Sequence, residues 1–166
     1  TGVQTLLFRS DMAIGGSSNT TLHLMAIAHE AKVSLTLEDF DEISRRVPHI
    51  TKLSPAGTHH MVDLDEAGGI SAVLKELMDA NLIFKDQLTV TGKTLEENIK
   101  NSLVLNDSVI RPLNTPYSNE GGIAVLRGNL APDGAVVKQS AVEPEMLYHK
   151  GVAGVFDGEE LAFDAI

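Results

Sequence analysis

The feature that most constrains this chain is a change of pattern near Ile110. Before it, apolar residues recur at helical spacing. After it, short apolar runs are broken by glycine and proline. One uniform architecture cannot satisfy both halves, so the sequence predicts a mostly helical part followed by a β-rich one. The 166 residues suit one domain or parts of two, and 43% are hydrophobic, enough for a real core. Aromatics make up only 4%, so aliphatic side chains must do most of the packing.

In the first part, Ala13-Ile14-Gly15-Gly16-Ser17-Ser18-Asn19-Thr20-Thr21 leads into the apolar stretch Leu22–His29. Ser17, Ser18 or Asn19 can cap a helix there by accepting a bond from an unpaired first-turn N–H. The stretch is apolar around most of its circumference, which predicts a helix buried on several sides, with His23 and His29 as satisfied core histidines. Thr36 is the predicted cap of a second helix over Leu37–Arg46, which stops at Val47-Pro48. Pro48 to Gly69 reads as an irregular, long connection of the kind that often carries function. Ile70–Asn81 regains helical spacing, Leu88–Thr91 reads as a short strand, and Thr94 with Glu97 forms a capping-box pattern. Arg111–Gly122 is rich in turn residues, and Gly121-Gly122 is expected to provide turn geometry at the joint. Beyond it, Ile123–Leu126, Ala135–Lys138 and Val152–Phe156 are strand candidates. Gly128-Asn129 and Pro132-Asp133-Gly134 supply turns, and Glu159–Ile166 is again helical.

Charge and composition exclude several classes of function. With 23 acidic against 13 basic residues the net charge is −10, and no basic cluster offsets it, so nucleic-acid binding is not expected. No apolar run approaches the roughly 20 residues needed to span a bilayer, and the first ten residues lack a signal-peptide pattern. No membrane partner is expected, and the cytoplasm is the expected compartment. The chain has no cysteine, so it can supply neither a disulfide nor a thiolate ligand. It starts without Met and stops within a helical pattern, which reads as a piece of a longer protein.

A series of segments carries a resemblance. It starts with Gly15-Gly16-Ser17-Ser18-Asn19 and Leu22-His23-Leu24, then Arg46-Val47-Pro48-His49-Ile50, then His60-Met61-Val62-Asp63-Leu64 with Gly68-Gly69. Leu88–Leu95, Gly121–Pro132, Gly134–Lys138 and Val155–Glu160 follow in order. Each is weak alone, but together they resemble the dihydroxy-acid and phosphogluconate dehydratase family, and Asn129–Gly134 is more similar to its dihydroxy-acid branch. The resemblance implies an α/β fold class. Residues 1–110 would be the mostly helical end of an α/β N-terminal domain, 111–121 a linker, and 122–166 the first strands of a β-rich, barrel-like C-terminal domain.

It also implies a hydro-lyase that turns 2,3-dihydroxy-3-methyl carboxylic acids into 2-oxo acids in valine and isoleucine synthesis. Such an enzyme holds an iron–sulfur cluster on three cysteines and a magnesium ion on Asp, Glu and a modified Lys, and is expected to be a homodimer. The cluster cysteines would lie upstream of this chain, and the catalytic serine and metal-binding Glu downstream. The chain alone is therefore expected to be inactive, with neither cofactor, no catalytic residue and no metal ligand. Its partner would be a small dihydroxy acid. Alternatives are an aldonate or 6-phosphogluconate dehydratase of the same family, and a non-catalytic binding module.

Five residues are candidates for lying near a substrate: Ser17, Ser18, Asn19, His60 and Met61. The glycine–serine segment at a helix start could receive an anion, although packing and capping explain the same residues. His59 and His60 are adjacent, so in an extended segment they point apart, and loop packing competes with a place beside the active site. Lys93 and Lys138 could each steer a carboxylate or simply be solvated. The part beyond residue 121 is expected to be less stable alone, since its strands leave edges unpaired.

Overall fold

The computed structural model describes residues 2–166, with side-chain surroundings from Leu6 onward. Helix α1 (Gly2–Ala13) ends at a glycine pair, and α2 (Ser18–Glu30) starts just beyond it. Gly15 and Gly16 both have positive φ, at 103° and 61°, which is how the chain turns from one helix into the next within a few residues. Ser17 is the N-cap of α2, its hydroxyl accepting the Asn19 N–H at 3.2 Å.

Helix α3 (Leu37–Ser44) opens at Thr36, whose N–H donates to the Asp39 carboxylate at 2.8 Å. Helix α4 (Met61–Glu66) opens in the same manner, the His60 N–H donating to Asp63 at 2.6 Å. This helix lies inside the stretch expected to be irregular, and six residues are too few to show a period. Helix α5 (Gly69–Asp79) follows at once, turned by Gly68 at φ 119°. A Cβ at Gly68 would stand 2.3 Å from the Leu103 carbonyl oxygen, so that packing also needs a bare backbone. Helix α6 (Leu95–Ile99) carries the expected capping box: Thr94 accepts the Glu97 N–H at 3.2 Å, and Glu97 accepts the Thr94 N–H at 2.8 Å.

Strands β1 (Ala124–Gly128) and β2 (Ala131–Val137) pair antiparallel, Val125 opposite Val136, across the turn Asn129-Leu130. Among the described residues they form the only sheet, so the fold is mixed helix and strand, in keeping with the α/β class. Two single-turn 3-10 helices, Gln139–Ala141 and Pro144–Met146, and α7 (Glu159–Asp164) complete the chain.

The core is one cluster that draws on every part up to Ile123. Phe8 stacks on Phe40 with ring centroids 4.8 Å apart, and Met12, Ile50, Leu64, Leu77, Ile110 and Ile123 are fully buried around them. Burying one such side chain is worth roughly 1.5–3 kcal/mol. The stretch after Ile110 is pinned back across the helices: Arg111 N–H donates to Ile50, Tyr117 N–H to His49 and Gly121 N–H to Ser44.

Several expectations need correction. Helix α2 is not buried on several sides: only Thr21 and Ala28 are buried, while Leu22 and Ile27 are exposed. An apolar circumference permits burial all round, but here neighbours cover one side alone. His23 and His29 are therefore surface residues rather than core histidines. Leu88–Thr91 makes only an isolated bridge from Leu88 to Thr94, not a strand. Pro132-Asp133-Gly134 is a bulge within β2 opposite Arg127, whose guanidinium donates to the Pro132 carbonyl at 3.2 Å. Val152–Phe156 forms no strand, and no strand among the described residues pairs with it. No helix among the described residues is long and apolar enough to cross a membrane.

Candidate functional site

The glycine turn between α1 and α2 meets a second glycine pair, and this contact positions everything around it. A Cβ on Gly122 would fall 1.8 Å from the Gly15 carbonyl oxygen, and one on Gly16 would fall 2.6 Å from Ile123. Gly122 N–H donates to the Met12 carbonyl at 3.1 Å, and the Ser140 hydroxyl to the Gly15 carbonyl at 2.7 Å. Gly121-Gly122 thus serves close backbone approach: neither has positive φ, and a Cβ on Gly121 would meet Met12 at 2.6 Å. This replaces the turn role expected for the pair.

Beside this contact lies a cavity of about 360 Å³, lined by Asp11, Ile14, Gly16, Ser17, Leu53, Ser54, His60, Met61 and Lys138. It draws on α1, the turn into α2, the start of α4 and the residue after β2. Three of the five candidate residues, Ser17, His60 and Met61, are brought together on its wall. Ser18 and Asn19 stand outside it, exposed in the first turn of α2. Lys93 is remote, in the turn before α6, and His59 serves the local chain by giving its carbonyl to the Ser54 N–H at 2.7 Å.

Asp11 is the residue that sequence reading missed. The Thr20 hydroxyl donates to its carboxylate at 3.1 Å, and the Ser17 backbone nearby favours its charged form. The anion received at the start of α2 is thus a side chain of the preceding helix, as the dipole favours. Burial pushes the Asp11 carboxyl above its ordinary range, opposed by the Thr20 hydrogen bond, the Lys138 charge and the Ser17 N–H. An Asp in the last turn of one helix, a short glycine turn, then Ser and Thr opening the next helix was the available signal.

On the other face of the Gly15–Ser140 contact lies a smaller cavity of about 230 Å³. His49 stands in its wall, 3% exposed, with Nε2 lacking a partner. Its ring is edged by Tyr117 at 5.7 Å between centroids, and the Arg111 guanidinium lies 3.9 Å over that tyrosine. Burial lowers the His49 pKa, a backbone hydrogen bond at Thr51 opposes this, and Lys52 and Lys138 lower it further.

An iron–sulfur cluster needs thiolates, and none of the 166 residues is a cysteine. Among the described residues no group of three His, Cys, Asp or Glu side chains could hold a metal ion. The chain's own residues do not form a site for either group, so no chemical step is assigned to one here. What the larger cavity offers is a cation, a carboxylate, an imidazole and hydroxyls around a floor partly made of Ile14, Leu53 and Met61.

Comparison with known proteins is consistent along the chain. Residues 8–98 match the family model for the dihydroxy-acid/6-phosphogluconate dehydratase N-terminal region, and residues 108–166 match its C-terminal counterpart. Over 156 residues, 94% of the chain, it is 97% identical to a dihydroxy-acid dehydratase of Clostridium novyi (strain NT), and 63% identical to one of Ignicoccus hospitalis. A dihydroxy-acid dehydratase of Caldanaerobacter subterraneus subsp. tengcongensis is 62% identical over 159 residues, or 96% of the chain. The chain spans 28–29% of the length of these relatives. With both family models matched in order, this chain belongs to the dihydroxy-acid/6-phosphogluconate dehydratase family.

Proposed function

We propose that this chain is a part of a dihydroxy-acid dehydratase, a hydro-lyase that removes water from a 2,3-dihydroxy-3-methyl carboxylic acid. In that reaction a proton leaves C2 and hydroxide leaves C3, and the resulting enol tautomerises to the 2-oxo acid. The product class fits valine and isoleucine synthesis. The observation that carries the reading is the 97% identity to the Clostridium novyi protein of that name. Relatives at 54–63% identity bear the same name, which favours it over a sugar-acid dehydratase.

Within the longer enzyme, the chain's contribution is to bind and orient. The cavity between α1, the α2 start and Lys138 can hold a small acid and screen part of it from water. Iron–sulfur and magnesium cofactors and a homodimeric assembly follow from the family resemblance, and a cytoplasmic setting is part of the same reading. The cofactors would be held by residues outside this chain.

The test is turnover by the longer protein with reconstituted cluster and magnesium. Release of 2-oxo acid from 2,3-dihydroxyisovalerate is expected, with little or none from 6-phosphogluconate. The reverse preference would transfer the reading to the sugar-acid branch, and no turnover on either would remove it. The 166-residue chain alone should release no 2-oxo acid.

A further inference from the structure

Helix α2 carries an apolar stripe that the described residues leave open. Leu24, Ile27, Ala28 and Ala31 stand at i, i+3, i+4 and i+7, one face of a helix. With side chains of α1 and of the chain just after α2 they line a groove of about 140 Å³, and all eight lining residues are apolar. Its floor is set, because Phe8 and Ala28 are buried. Its sides are open, with Ile27 61% and Val33 47% exposed. The fold itself builds this groove. Lys32, at φ 55°, ends α2 in a left-handed turn, and the Val33 N–H returns to the Ala28 carbonyl at 2.8 Å, which fixes Val33 as one side.

Size and chemistry define the occupant. An apolar cavity of about 150 Å³ takes one benzene ring. This groove therefore suits one large aliphatic or aromatic side chain, and no lining side chain offers a polar ligand a charge or a hydrogen bond. Such a contact is too small to hold separate copies together. A standard interface uses roughly 20–30 residues a side, against eight here, two of them already buried. A segment of the same polypeptide needs far less contact, because its tether keeps its effective concentration high. Relatives have such polypeptide to spare, since this chain spans only 28% of the 97%-identical dehydratase. The lining runs from Leu7 to Leu35, and from Phe8 onward it lies within the match to the N-terminal family model.

We infer that this groove docks an apolar segment of the longer enzyme that precedes Thr1, seating one large side chain between Ile27 and Val33. The inference rests on the reading of this chain as part of a longer dehydratase. The docked segment covers the open face of α2, whose N-cap, Ser17, stands in the wall of the larger cavity.

The experiment uses the longer enzyme, and its mass is measured first. A gene product of only 166 residues sinks the reading as a part, and the inference with it. In a longer product, carbene footprinting read by mass spectrometry tests the groove alone. Ile27 and Val33 should lose nearly all the labelling that they show in the urea-unfolded enzyme, as buried Leu64 and Leu77 do. Retention of most of that labelling overturns the docking. The occupant is then identified by irradiating Ile27→p-benzoylphenylalanine enzyme. The product should keep the mass of one copy on a denaturing gel, with the crosslinked peptide mapping before Thr1. A product of twice that mass assigns the groove to a second copy, and a peptide mapping after Ile166 assigns it to the downstream part; either overturns the inference. Footprinting needs no substitution, so exposure there is decisive even if the variant fails to fold. Turnover is not read, so an enzyme that acts on a sugar acid instead leaves the docking standing.

Discussion

The chain up to Ile123 and the chain after Val142 meet opposite fates. Both contain helical turns and large apolar side chains, yet every member of the core cluster lies at or before Ile123. Beyond Val142 no residue is buried: Val152 and Ile166 are fully exposed, and α7 buries nothing. Local spacing is therefore enough to set backbone conformation, but burial requires a second surface, and only the front part supplies one to itself. The hairpin stands between the two, tied to α3 by the Arg127–Glu38 ion pair and by the Val125 N–H on Asp41 at 3.4 Å.

The strongest contrast should come from two phenylalanines. Phe40→Ala empties a fully buried site and should cost about 3–5 kcal/mol in urea unfolding. Phe163→Ala, on an exposed side chain in α7, should change stability by less than about 0.5 kcal/mol. Comparable losses would mean that the tail is packed after all.

A pair of glycines gives the next largest difference. Gly122→Ala drives a methyl into the Gly15 backbone and should destabilise by about 3 kcal/mol or more. Gly128→Ala meets nothing within 4 Å and should cost about 0.5 kcal/mol or less, read from the same unfolding midpoints.

The smallest effect concerns acid. His49 is buried and its pKa lies below the ordinary 6.5, so between those two values the unfolded chain binds the extra proton. Its contribution to stability is complete above 6.5 and is lost as pH falls toward the lower, folded value. The slope can reach at most about 1.4 kcal/mol per pH unit. His49→Gln should flatten that part of the stability curve, read from urea unfolding at a series of pH values.

What could be read from the sequence was what is decided over three or four residues. The caps at Ser17, Thr36 and Thr94 and the starts of α3, α5 and β1 are of this kind. Helix α4 was hidden because its pattern is too short, and the exposed face of α2 because burial is a property of neighbours. The cavity was only half legible. Ser17, His60 and Met61 lie in recognisable segments, but Asp11 and Lys138 come from opposite ends of the chain and meet through the fold alone.

The glycine contact carries a mechanical consequence. Gly122 is fastened to Met12 and Ser140 to Gly15, so the ribbon bearing Lys138 is stapled on both sides of that lysine. The hairpin can bend or lose its far turn without carrying the ammonium away.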